Sequence, residues 1–160
     1  FTVLLPCMGS GIQEMSGDTS PAAPAGCENI LLVDDEKDVV FATERMFKQL
    51  GYQVAACSDP RKALKLFRDH PDRFDLVITD QTMPYLNGTE LARELALIRP
   101  DIPIILCTGF DPALSGAAGS NDEPAEFIRE LAMKPLERRE IAELIRRVLD
   151  ESRQQEHING

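Results

Sequence analysis

Ile30-Leu31-Leu32-Val33-Asp34-Asp35 is the stretch that decides the fold: four apolar residues in a row, closed by two adjacent aspartates. So short an apolar run, with no polar alternation, suits a strand covered on both faces. Immediately after it, Val39, Val40, Met46, Phe47 and Leu50 recur at helical spacing, and Gly51 supplies a C-terminal stop. The same pairing of strand and helix then repeats. Strands are expected over Tyr52 to Cys57, Phe74 to Thr79, Ile102 to Cys107 and Ile128 to Met133. Helices are expected from Asp59-Pro60 through Phe67, over Thr89 to Ile98, and over Leu136 to Leu149. Between Asp111 and Glu126 a helix is expected to be short or irregular, because Ser115, Gly116, Gly119, Ser120, Asn121 and Pro124 are mostly poor helix formers.

Strand and helix in alternation imply an α/β fold, an open doubly wound parallel sheet of five strands with helices on both faces. In such sheets function gathers at the carboxyl ends of the strands, near the point where strand order reverses. Three carboxylates are expected there: Asp34 and Asp35 after the first strand and Asp80 after the third. Two unit charges ~5 Å apart at an effective dielectric of ~20 repel by roughly 3 kcal/mol, so such a cluster calls for a cation or a shifted protonation. An all-oxygen, partly hydrated site suits Mg²⁺ better than zinc. Taken alone, any of these aspartates could simply cap the helix that follows. Thr108 and Lys134 close the fourth and fifth strands at the same sheet edge. A hydroxyl and an ammonium beside an acidic metal site can bind the oxygens of a phosphoryl group. Lys134-Pro135 adds a bond at which a cis peptide is accessible.

Composition narrows the classes. The net charge of −10, with scattered Lys and Arg, argues against direct nucleic-acid binding, which needs a basic face. The hydrophobic share of 43% is enough for a core, yet no apolar run approaches the ~20 residues that span a bilayer, so this segment is expected to be cytoplasmic, without membrane contact. Cys7, Cys27, Cys57 and Cys107 are widely spaced with no zinc-type pairing, and Cys57 and Cys107 end apolar runs, which favours buried thiols.

From about Asn29 to Asp150 the chain resembles the receiver domain of two-component response regulators. The resemblance rests on Val33-Asp34-Asp35-Glu36, Asp80-Gln81-Thr82-Met83-Pro84-Tyr85-Leu86-Asn87-Gly88, Thr108-Gly109 and Lys134-Pro135, in this order and at these spacings. It implies the flavodoxin-like receiver fold, with Asp80 as phosphoacceptor and Mg²⁺ held by Asp34, Asp35, Asp80 and the Thr82 backbone carbonyl. It further implies that Thr108 is the switch hydroxyl, that Lys134 binds the phosphoryl group, and that Gly109 leaves the approach to Asp80 open. A receiver of this kind catalyses its own phosphorylation and dephosphorylation. One departure stands out: Leu131 occupies the place, three residues before the Lys, where receivers commonly carry Phe or Tyr, which puts the aromatic output switch in question.

The resemblance also suggests an organisation. Residues 28–152 form the receiver and 153–160 a tail; residues 9–27, rich in Gly, Ser, Pro and Ala, read as a flexible linker. Phe1-Thr2-Val3-Leu4-Leu5-Pro6 resembles the closing strand of a histidine-kinase ATP-binding domain, so residues 1–8 are expected to end one, and the chain to be the C-terminal receiver of a hybrid histidine kinase. Neither His70 nor His157 lies in a phosphotransfer motif, so a phosphohistidine elsewhere must be the donor, with a phosphotransfer protein as a candidate next partner. Two other readings compete. One is a degenerate receiver acting as a phosphorylation-independent interaction module; the other is a metal-dependent phosphatase, which the adjacency of Asp34 and Asp35 and the lack of a lid domain disfavour.

Overall fold

The computed structural model describes residues 26–109 and 127–159. The expected kinase strand at 1–8, most of the linker and the irregular helix at 111–126 lie outside the described residues. Within them, β1 (Asn29–Val33), β2 (Gln53–Cys57), β3 (Leu76–Asp80), β4 (Ile104–Thr108) and β5 (Glu130–Met133) form one parallel sheet in the order β2-β1-β3-β4-β5. The helices are α1 (Lys37–Gln49), α2 (Pro60–Asp69), α3 (Gly88–Ile98) and α4 (Arg138–Asn159), with a 3₁₀ turn at Pro71–Arg73.

The unbroken apolar runs are explained by burial on two faces. Ile30 and Leu32 point into a core built with Phe47 of α1 and Ile141, Ile145 and Val148 of α4. Leu31 and Val33, on the alternate positions, pack with Phe67 of α2 and Leu91 and Leu95 of α3. Every residue of β3 is buried, as the middle strand requires. Each fully buried large aliphatic side chain contributes about 1.5–3 kcal/mol relative to leaving it in water.

Local chemistry explains the helix ends. Asp59 caps α2 by accepting a hydrogen bond from the Arg61 amide, with Pro60 at the first helical position. Asn87 and Glu90 form a reciprocal capping box at the start of α3. Gly51 ends α1 in the left-handed region at φ 98°, which favours glycine. The last helix differs from expectation: it continues ten residues past Leu149 to Asn159, carried by helix-forming Glu, Arg and Gln after its apolar period has ended. Strands β3 and β4 begin two residues later than the apolar runs, because Phe74 and Ile102 are core residues that lie just ahead of the ladder.

Candidate phosphoacceptor site

The strand order reverses between β1 and β3: the chain leaves β1 toward β2 on one side and returns to β3 on the other. At that switch point a crevice opens beyond the strand ends, and the acidic residues stand at it. Asp34 follows β1, and its amide donates to the Cys57 carbonyl at the end of β2 (3.2 Å). Asp80 is the last residue of β3, in register with Cys107 of β4. The carboxylates of Asp34, Asp35 and Asp80 each offer an oxygen within 4.8 Å of the others. Asp34 and Asp80 are buried and Asp35 is half-buried.

Lys134 reaches this group from the end of β5. Its Nζ lies 2.8 Å from Asp34 Oδ2 and 2.9 Å from Asp80 Oδ1. Burial pulls the ammonium pKa down, but the hydrogen bonds and charges of Asp34 and Asp80 outweigh that and hold it above the ordinary lysine range. The Lys134-Pro135 bond is cis, and the Lys134 amide donates to the Thr108 carbonyl (2.9 Å), placing the two residues side by side. Thr108 is half-buried at the end of β4. A Cβ at Gly109 would meet nothing within 4 Å. Thr82 lies two residues past Asp80 at an exposed loop position.

Cys107, beside Asp80 in the sheet, is a free thiol whose pKa burial pushes up to about 12, with Lys134 pulling the other way. It stays protonated near neutral pH. Cys57 is free as well, and burial raises it too; Cys27, by contrast, is disulfide-bonded.

Three carboxylates facing one ammonium leave an excess of negative charge in a partly dry crevice. Hard oxygen ligands at this spacing fit Mg²⁺. His70 is the C-terminal cap of α2 and His157 lies in the last turn of α4. Leu131 is partly exposed on β5.

The model of the response regulator receiver domain family matches residues 30–146. This chain belongs to that family. Among curated proteins, the receiver is similar to the two-component response regulator ARR14 of Arabidopsis thaliana, 32% identical over 126 residues, which cover 79% of this chain and 32% of that protein. It is also similar to the sensor kinase CckA of Brucella abortus, 27% identical over 161 residues, covering 94% of this chain and 16% of that protein. The chain thus spans about a third of the first relative's length and far less of the second's. Among solved structures, the receiver domain of the sensor histidine kinase PA1611 from Pseudomonas aeruginosa matches with a TM-score of 0.64 at 26% identity, over 78% of this chain and 99% of that one. That structure carries a magnesium ion coordinated in its active-site cleft. The chain is therefore a receiver domain of two-component signalling with the five-stranded parallel receiver fold. No helix among the described residues is long and apolar enough to cross a membrane.

Gln81, part of the motif that begins at Asp80, has an anchoring role that its sequence position does not show. Its side-chain oxygen accepts from the Thr89 amide (3.1 Å) and hydroxyl (2.9 Å), while its own carbonyl accepts from the Gly88 amide (3.0 Å). These bonds pin the loop that leaves Asp80. Gly88 is required there, since a Cβ would lie 2.3 Å from the Asp80 carbonyl oxygen. The Asn-x-x-Glu signature at Asn87–Glu90 was the one readable sign of this anchorage.

Proposed function

We propose that Asp80 is the phosphoacceptor, that Asp34, Asp35, Asp80 and the Thr82 carbonyl hold Mg²⁺, and that the phosphoryl group comes from a phosphohistidine in the cytoplasm. The observation that carries this reading is the convergence of Asp34, Asp35, Asp80 and Lys134 at the switch point of the sheet. An Asp80 carboxylate oxygen attacks phosphorus in line, the phosphorus–nitrogen bond breaks, and the electron pair leaves with the imidazole. Lys134 shifts from its two carboxylates to a phosphoryl oxygen and offsets the charge that the transfer spreads over these oxygens. When bound, Mg²⁺ supplies charge neutralisation and a template for the same oxygens. The product is an acyl phosphate with about two negative charges. The Thr108 hydroxyl then donates to a phosphoryl oxygen, which biases the β4–β5 edge between two arrangements. Water attack on phosphorus breaks its bond to the Asp80 oxygen, releases inorganic phosphate and restores the carboxylate.

The donor is proposed to be a histidine kinase of the same full-length protein, with a phosphotransfer protein as the next partner in line. What favours the hybrid arrangement is that the similarity to a sensor kinase extends over 94% of this chain, beyond the receiver itself. Leu131 bears on how the signal leaves the domain and not on the acceptor chemistry. Incubation with Mg²⁺ and acetyl phosphate should add one hydroxylamine-labile phosphoryl group, read by intact-mass spectrometry. The same mass shift at equal stoichiometry in Asp80→Asn would defeat the assignment.

A further inference from the structure

We propose that Arg61 is a positioning residue for the metal site, acting through Tyr85 on the loop that carries Thr82; this rests on the Mg²⁺ reading above. The loop from Gln81 to Asn87 is held firmly at both ends. Gln81 bonds to Thr89 and Gly88, Met83 is buried, and Asn87 closes the capping box with Glu90. Its apex is different. The Leu86 amide donates to the Pro84 carbonyl (2.8 Å), and Tyr85 between them has φ 72°. A bond from residue i+2 back to i with a positive φ at the centre is a γ-turn of the strained hand, here adopted by an aromatic residue where glycine would be at ease.

The Tyr85 side chain is largely exposed, and among the described residues its ring contact is the Arg61 guanidinium, 4.0 Å from its centroid. That guanidinium is itself aimed. Its Nε and Nη2 donate to the two oxygens of Asp59 (3.2 and 3.0 Å), and Asp59 is fixed as the cap of α2. Asp59 lies two residues beyond Cys57, whose carbonyl accepts from the Asp34 amide. Arg61 therefore links the corner that supports Asp34 to the apex of the loop that leaves Asp80. The clip stabilises a strained turn three residues from the proposed carbonyl ligand, so its loss should loosen the segment that carries that carbonyl.

Electrostatics alone predicts the opposite sign. Removing a cation near an acidic crevice should tighten Mg²⁺ binding, whereas loss of the clip should weaken it. Calorimetric titration of the intact chain with MgCl₂ separates the two. Arg61→Gln should bind Mg²⁺ about two- to five-fold more weakly than wild type, the range set by an exposed cation–π contact. The same loss should persist in a Tyr85→Phe background and vanish in Tyr85→Leu, where no ring remains to hold. Melting in EDTA should be nearly unchanged in wild type and in every variant, which distinguishes positioning from general destabilisation. Unchanged or tighter binding by Arg61→Gln, or an equal loss in Tyr85→Leu, would overturn the inference. A wild-type protein that binds no Mg²⁺ would instead sink the metal reading on which it rests.

Discussion

Glu28 leads into β1 and Asp34 leaves it, so a single five-residue strand separates two buried carboxylates with contrasting surroundings. At the carboxyl end, Asp34 and Asp80 share Lys134, and the Asp35 carboxylate stands beside them. At the amino end, Glu28 accepts from Arg146 (2.9 and 3.2 Å) and from Arg153 (2.6 Å), both on α4, and Arg146 also bonds Asp150. Burial pushes the Glu28 carboxyl up, but the Arg146 hydrogen bonds and the charges of both arginines outweigh this and hold it below the usual carboxylate range. One end is saturated with cations and ties the entry of the sheet to the last helix. The other is left short of positive charge, as the proposed binding of Mg²⁺ and transfer of a phosphoryl group require. The difference teaches that a buried acid is informative through the balance of its partners rather than through its burial.

Removing the acid at the saturated end should have the largest effect on stability. Glu28→Gln takes away the negative charge that Arg146 and Arg153 share and one of the two acceptor oxygens, and should cost on the order of 2 kcal/mol, less than the ~3–5 of a fully buried pair because both arginines reach solvent. Urea unfolding should show that loss while Mg²⁺ affinity stays unchanged; weakened Mg²⁺ binding would mean the two ends are coupled and the contrast is false.

The acidic end should answer in the opposite direction. Asp80→Asn should be more stable than wild type in EDTA, by about 1 kcal/mol, because it removes like-charge repulsion at an effective dielectric near 20. Mg²⁺ at ten times its dissociation constant should raise wild-type stability by about 1.4 kcal/mol through binding the native state alone. Thermal scans showing neither shift would mean that the three carboxylates do not act as one ion site.

The smallest effect lies in the acid limb. Because the folded-state pKa of Glu28 is lowered, the unfolded chain takes up its proton first as pH falls. Its contribution is therefore complete above the ordinary glutamate value of 4.5 and is lost as pH drops through the lower folded value. The stability gap between wild type and Glu28→Gln should narrow below pH 4.5. A gap that stays constant down to acid unfolding would assign the difference to packing.

Much of the site was legible because its residues terminate apolar runs. Asp34, Asp80, Thr108 and Lys134 each stand where such a run stops, and a parallel sheet brings those places to one edge. The cis Lys134-Pro135 bond was flagged by the dipeptide itself. Glu28 was not legible as a buried acid, since its partners lie 118 and 125 residues away on α4. The pairing of Arg61 with Tyr85 was not legible for a similar reason: their contact joins the start of α2 to the loop before α3.

By itself the sequence determined the alternation of strand and helix, the two-sided burial of the strands and the identity of the acidic set, because these depend on local periodicity and on where polar residues interrupt it. Only the tertiary structure decided that β1 and β3 are neighbours, and hence that Asp34 and Asp80 face each other across the switch point. It also decided which acids are saturated and which are left short of cations. Strand order and charge balance are sums over contacts between distant segments, and no local pattern carries them.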